Sequence, residues 1–407
     1  MKLNINKKFL NNLLFSIFTV LINILFPFIF AIVLISEVGQ SSYGEYVKYQ
    51  SLVMILFIIG DFGLSLFTTK NISKNRYDNG MVSENVSFFF LIKSLSSLIM
   101  ILLILITVNQ DIMLRIALCM LIISRFMSPH FIFQGFENYA LLAYVNLLSK
   151  IIQILLAISI DYSSNGIIKA FLIVSLVPLI FNIYLYLILF IKYRVKITRI
   201  KIIRIILMLK QSFNFFVARL FLNLYTQGST FFVSFYISLE SLAIYSLAVD
   251  LYKVGDGLIG SISRVLFTRL NLIINFSLIR KLTVISIMLL ILLLPIVVVH
   301  GEYILSIIFD VDSTQLYSLA FYLYLSLVFT IINAFWGYPA FSPINKDHYA
   351  NLSLIGQSLM YFIAFTISII FFEVSPFTAI VCIIIADFTG SFFRIFFASK
   401  EKILFNK

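Results

Sequence analysis

Charge is scarce in this chain. Asp, Glu, Lys and Arg make up 12% of its 407 residues, against roughly 25% in a soluble domain. There are two cysteines, Cys119 and Cys382, each inside an apolar run. They read as small core residues and exclude a disulfide framework or a thiolate metal site. The three histidines (His130, His300, His348) are scattered, which leaves no ligand cluster. After the first apolar run there is no small-residue cleavage site, so that run reads as a retained helix and not a signal peptide. No stretch is polar enough and long enough for a soluble domain.

What fills the chain is hydrocarbon: 61% of residues are hydrophobic and the mean hydropathy is +1.05. A membrane-spanning helix needs about 20 largely apolar residues. The apolar runs predict twelve: 11–35, 43–69, 85–106, 113–133, 141–159, 168–191, 213–237, 242–268, 283–299, 315–338, 350–372 and 378–398. The connections then separate by charge. The even-side segments (1–10, 70–84, 134–140, 192–212, 269–282, 339–349, 399–407) hold twenty of the thirty cations and five acids. The odd-side segments hold eight acids, Glu37, Asp111, Asp161, Glu240, Glu302, Asp310, Asp312 and Glu373, and no Lys or Arg. Cationic loops stay in the cytoplasm, so both termini are expected there. The net charge of +12 therefore marks the cytoplasmic face and its anionic lipids, and nucleic acid is not an expected partner.

The segment 192–212, KYRVKITRIKIIRIILMLKQS, carries seven cations. It alternates basic and apolar residues, as an interfacial amphipathic segment does. It predicts a cytoplasmic linker between two bundles of six helices, 1–191 and 213–407. The halves share faint similarities. Tyr46 and LFTTK (66–70) in the second helix match Tyr245 and LFTR (266–269) in the eighth, and FQGFENYA (133–140) and SPINKDHYA (342–350) each introduce a fifth helix. Two six-helix sets of equal topology imply parallel repeats related by a pseudo-two-fold axis, with a substrate site between the halves.

Ten cations and five acids lie outside the loops. Lys48, Arg115, Lys169, Arg394 and Glu45 are near helix ends, where long side chains can snorkel. The deep set is Lys93, Arg125, Lys150, Arg219, Lys253 and Arg264 against Asp61, Asp250, Asp256 and Asp387. An ionised group at mid-membrane costs about 2.5–3.5 kcal/mol on insertion scales, so these groups either pair or line a wet cavity. On the eighth helix Lys253 and Arg264 fall within about 20° of one stripe, about 16 Å apart along the axis. Asp250 and Asp256 flank Lys253 at i−3 and i+3, and either can pair with it. Arg219, Asn223, Thr226 and Thr230 form a polar face on the seventh helix. Asn12, Ser16, Thr19 and Asn23 form one on the first. Several sites also have a structural reading: Asp250–Lys253–Asp256 as an ion cluster, Asp61 as a backbone cap, and Lys150, with Asn146 and Gln153, as a hydrogen-bonding contact to a neighbouring helix. Deep cations outnumber deep acids six to four. A positive cavity attracts an anion, and phosphate suits guanidinium and ammonium donors. Arg125, Lys93, Asn23 and Asn223 are further candidates for substrate contact.

Three segments carry a resemblance. GDFGLSLFTTKNIS (60–73), SPHFIFQGFENY (128–139) and GEYILSIIFD (301–310) resemble motifs of polysaccharide-unit flippases, and with length and topology the chain resembles an O-antigen flippase of the Wzx type in the MATE-like (MOP) superfamily. The match departs at Lys70, where the family usually has Arg, and at Phe131 or Ile132, where an aromatic such as Trp is common. The resemblance implies an all-α fold of twelve helices around a central cavity lined by the first, second, seventh and eighth. It implies a flippase and not an enzyme, moving an undecaprenyl-diphosphate-linked oligosaccharide from the cytoplasmic to the periplasmic leaflet of a bacterial inner membrane by alternating access. In that picture the diphosphate rests on Arg219, Lys253 and Arg264, and Asp61, Asp250 or Asp256 answers a proton or sodium counter-ion. No other cofactor or metal is expected. The bilayer and other polysaccharide-assembly membrane proteins are the expected partners of a functional monomer. Two rivals stand beside this reading: a multidrug or cation exporter of the same superfamily, whose cavity would be acidic, and a membrane polymerase or ligase, whose catalytic Arg or His would sit in a large outer loop. The longest outer connection here, 300–314, is short and acidic.

Overall fold

Helices account for nearly all of the ordered backbone, and there is no strand among the described residues. A computed structural model describes residues 2–109, 111–272, 274–309 and 311–403, without the side chains of 2–13, 214, 215, 217–219, 222, 268, 271 and 272. The elements are α1 (Lys2–Val38), α2 (Gln40–Asp61), α3 (Leu64–Asn75), α4 (Asn79–Thr107), α5 (Ile112–Phe126), α6 (His130–Gly135), α7 (Tyr139–Ser159), α8 (Gly166–Ile191), α9 (Ile202–Thr226), α10 (Ser229–Val233), α11 (Leu239–Leu272), α12 (Phe276–Ile308), α13 (Ser313–Phe335), α14 (Tyr338–Phe341), α15 (Asp347–Phe371) and α16 (Pro376–Lys400). The chain is a multi-pass membrane protein. Among the described residues nine helices are long and apolar enough to cross a bilayer, and the pair α2 and α3, bent by 49°, makes a tenth. The expected spans 213–237 and 242–268 fall on α9–α10 and α11 and do not meet that criterion. In α11 the charges of Asp250, Lys253, Asp256 and Arg264 are the reason, whereas α9 includes residues whose side chains lie outside the described set. The apolar outer surface of α12 (Ile285, Met288, Leu292, Val299) is exposed, as suits contact with lipid tails.

The chain forms two compact units: the segment up to Val38 with Tyr49–Leu220, and Gly39–Lys48 with the chain from Phe221 onward. In the first, α1 packs on α7, α5 on α8 and α3 on α6. Phe67, Phe88, Phe89, Phe133, Leu185 and Leu189 form its core. Segment 192–212, the expected linker, packs on this core. Val195 and Met208 are buried there, and the backbone N–H groups of Lys196 and Thr198 donate to Ser83 and Ser87 of α4 (3.1 and 2.8 Å). Other apolar residues of the segment, Ile197, Ile202, Ile203 and Ile206, are exposed together with Lys196, Arg199 and Lys201. Helix α9 begins within the segment at Ile202, eleven residues before the expected span.

In the second unit α11 and α16 both pack on α13, and α15 packs on α16. Phe335, Trp336, Ala340 and Phe341 centre its core. The first residues of α2 belong here because they are clamped to the start of α11. Gln40 Nε2 donates to the carbonyl of Glu240 at 3.1 Å. A Cβ on Gly44 would stand 1.8 Å from the Leu239 carbonyl oxygen, so only glycine allows the approach. Gly44→Ala is expected to lower thermal stability by about 1–3 kcal/mol, the usual cost of overpacking, against well under 1 kcal/mol for Gly260→Ala, where a Cβ meets nothing within 4 Å. Equal melting temperatures for the two variants would contradict the close approach.

Candidate functional site

The first unit buries an ion pair at a helix break. Helix α2 ends at Asp61, and Phe62 and Gly63 take left-handed backbone angles (φ 47° and 73°) before α3 begins. Asp61 Oδ1 accepts from Lys93 Nζ of α4 at 2.5 Å and also from Ser65 Oγ. Lys93 is 1% exposed, and its ammonium faces the rings of Phe57, Phe126 and Phe89 at 4.8, 5.2 and 5.8 Å. Lys93, expected at the substrate, and Asp61, expected to answer an ion, are joined to each other here, because a caged ammonium in an aromatic pocket needs its counter-charge. The motifs at 60–73 and 128–139 meet around this pair. Thr69 donates to the carbonyl of Phe131 at 2.9 Å. A Cβ on Gly135 would lie 2.8 Å from Ile72 Cβ and 3.1 Å from the Thr69 carbonyl. Arg76 and Glu137 pair at 2.8 Å, and that bond holds the half-buried Arg76 guanidinium above its usual value.

Arg125, half-buried, points Nη1 at Met54 Sδ, 2.9 Å away. Asn23 is exposed and accepts from Asn146 Nδ2 at 3.1 Å. The Arg219 and Asn12 side chains lie outside the described residues.

The second unit holds the charged stripe. On α11 Lys253 chooses Asp250, at 2.8 Å, with the two side chains 43% and 22% exposed. Asp256 and Arg264 are exposed, and an Arg264 nitrogen donates to Ser261 Oγ at 2.9 Å. Helix α9 stops at Thr226, where Gln227 and Gly228 both donate to the Asn223 carbonyl. The polar face expected along one helix is therefore interrupted before Thr230, which is buried in α10. Asn223 is half-buried.

A second polar centre escaped the sequence reading. Asp387, 2% exposed on α16, accepts from Tyr225 OH on one oxygen and from Tyr252 OH on the other at 2.7 Å. Gln357 Nε2 bridges Asp387 Oδ1 (2.7 Å) and Tyr225 OH (3.0 Å). Tyr252 also meets Thr330 Oγ1 at 2.8 Å, and Asn333 donates to the Asp387 backbone carbonyl at 2.9 Å. Arg394 stands seven residues along α16 and is 5% exposed, with Nε on Ser353 Oγ at 3.0 Å. The expectation that Arg394 snorkels is corrected: α15 and the backbone of Gly337 cover it. Five helices contribute, α13 with both Thr330 and Asn333, and the bonds that join the cluster run between helices, which spacing within one helix does not announce. The signal available was one uncompensated polar residue in each of several apolar spans.

Residues 9–270 match the family described as polysaccharide biosynthesis protein. The chain belongs to that family. No curated protein matches it in sequence. In fold, this family member is similar to an inward-facing multidrug resistance MATE family transporter of the MOP superfamily. The two are 14% identical with a TM-score of 0.72, over 93% of this chain and 94% of that one. An outward-facing multidrug resistance MATE family transporter is 14% identical with a TM-score of 0.64, over 98% and 96%. A MOP superfamily transporter from Pyrococcus furiosus, described as having a binding pocket of reverse polarity, is 12% identical with a TM-score of 0.58, over 98% and 96%. The fold is that of the MATE/MOP transporters.

Proposed function

We propose that this protein is a flippase that carries an undecaprenyl-diphosphate-linked oligosaccharide from the cytoplasmic to the periplasmic leaflet of the bacterial inner membrane. The observation that carries the reading is the exposed cation stripe of α11. Lys253 and Arg264 keep access on a helix that would otherwise bury them, and Arg264 has a fork that matches a phosphate. The family description agrees with a glycan substrate. The Pyrococcus furiosus relative, whose pocket is described as reversed in polarity, offers a precedent for this fold with altered pocket charge. On this reading α9 with α10, and α11, are the remaining two crossings. Both termini face the cytoplasm with the basic loops, and a proton or sodium ion drives alternating access with Asp250 or Asp256 responding.

A deletion strain is expected to accumulate lipid-linked sugar units on the cytoplasmic leaflet. Arg264→Ala should reduce surface glycan about tenfold or more, since a hydrogen bond to a charged group contributes about 1.5–3 kcal/mol and 1.4 kcal/mol is tenfold. Normal export by Arg264→Ala at wild-type protein levels would remove the cationic site from the mechanism. Normal surface glycan in the deletion strain would sink the flippase reading itself.

A further inference from the structure

Lys150 is a deep cation that neither the ion pairs nor the α11 stripe absorbs. It lies on α7, whose inner face repeats Asn146, Ser149 and Gln153, all buried. That face packs on α1: Asn146 Nδ2 donates to Asn23, and the Lys150 ammonium sits 3.7 Å from the Phe26 ring centroid. Lys150 Nζ donates to Gln153 Oε1 at 3.0 Å. Both partners are neutral, and among the described residues no carboxylate pairs with Lys150. The contrast is internal to the molecule, since Lys93 and Lys253 each hold an Asp.

An ammonium has three donors, and here one goes to an amide oxygen while a ring face takes part of the charge. Gln153, 0% exposed, spends its oxygen on Lys150 and leaves Nε2 buried with no acceptor among the described residues. A buried unpaired donor beside a cation is unfavourable in both charge and hydrogen bonding. Nearby groups do not relieve it. Arg125 lies within Coulombic reach of Lys150, and Lys150 within reach of His130. Positive charge and unfilled donors therefore converge where α1, α5, α6 and α7 meet, all within the first unit. Packing alone gives no reason to retain that arrangement, whereas an oxyanion gives Lys150 and Gln153 the acceptor they lack.

We propose that Lys150 and Gln153, with the charge of Arg125 beside them, form an oxyanion-binding site for an anionic group of the transported molecule, a phosphate or a sugar carboxylate. This rests on the flippase reading for the identity of the ligand, while the site itself rests on the contacts of α7. Lys150 supplies charge, and Gln153 positions the ammonium and offers a second donor.

The test uses the full-length protein in lipid nanodiscs and three probes: farnesyl diphosphate, farnesyl glucuronide and uncharged farnesol. Lys150→Met is expected to weaken binding of at least one anionic probe about tenfold and to leave farnesol unchanged. Loss confined to the diphosphate assigns the site to phosphate, and loss confined to the glucuronide assigns it to a carboxylate. Lys150→Arg, which keeps the charge, should stay within about threefold of wild type. Gln153→Glu sets a carboxylate against Lys150 from within. It should fold with wild-type thermal stability and lose the same probe, which decides the matter if Lys150→Met fails to fold. Wild-type affinity for both anions in both variants, or no Lys150-dependent binding at all, overturns the site. If that overturning occurs while the deletion strain still accumulates lipid-linked sugar, the flippase reading stands alone. Lys150-dependent binding together with normal glycan in the deletion strain leaves the site and removes the flippase.

Discussion

Replacing Lys93 with methionine is expected to destabilise the protein by about 3–5 kcal/mol, the range for stranding one member of a buried ion pair. Asp61 is 8% exposed and shares its oxygen with Lys93 and Ser65. Without the ammonium its charge would keep only the Ser65 hydroxyl, inside a wall of Phe57, Phe89 and Phe126. The double variant Asp61→Leu with Lys93→Met should recover most of the loss, because two apolar side chains can fill the pocket that the pair fills. Thermal unfolding of the purified single and double variants measures the coupling directly. A double variant no more stable than Lys93→Met would show that the pair is not the unit described. Export by a well-folded double variant would also remove Asp61 from the groups that answer a counter-ion.

The Asp387 cluster predicts an ordered series. Asp387→Leu leaves the hydroxyls of Tyr225 and Tyr252 and the amide of Gln357 without their acceptor. Each orphaned buried group costs about 1–3 kcal/mol, and because they belong to one network the total is smaller than the sum, about 3–6 kcal/mol. Asp387→Asn retains one carbonyl oxygen and should lose roughly half as much. Tyr252→Phe should lose least, about 1 kcal/mol, since Asp387 keeps its other donors and Thr330 Oγ1 also has the Ser326 carbonyl. Melting temperatures in any other order would break the assignment of Asp387 as the hub.

How legible was this architecture in the sequence? Helix positions were legible because bilayer length forces a long apolar run, and nine expected spans coincide with helices that pass on composition alone. The internal breaks were less so. The turn at Phe62–Gly63 lies within one continuous apolar segment, and hydropathy has no term for a left-handed backbone angle. The alternation in 192–212 predicts an interfacial segment, and it does not announce that Val195 and Met208 turn into the core while Ile197, Ile202, Ile203 and Ile206 stay exposed. Pairing within one helix was visible as a choice: spacing offers Lys253 either Asp250 or Asp256, and the structure takes Asp250. Pairing between helices was not, so Lys93 with Asp61, 32 residues apart, and Tyr225 with Asp387, 162 apart, required the fold. The same limit hid the role of Gln153, whose oxygen and nitrogen have different fates that composition cannot separate.

The charged stripe of α11 also has a consequence for how the chain is made. Asp250, Lys253, Asp256 and Arg264 at about 2.5–3.5 kcal/mol each add roughly 10 kcal/mol against insertion of that helix alone. Only a three-residue connection separates it from α12, whose mean hydropathy of 3.1 is the highest of the candidate spans. Helix α11 is therefore expected to enter the membrane together with α12, before α13, its main packing partner, has been made. Synthesis is expected to pass Phe335 before α11 meets α13, the helix it packs on most, so the order of translation bears on how the charged stripe is housed.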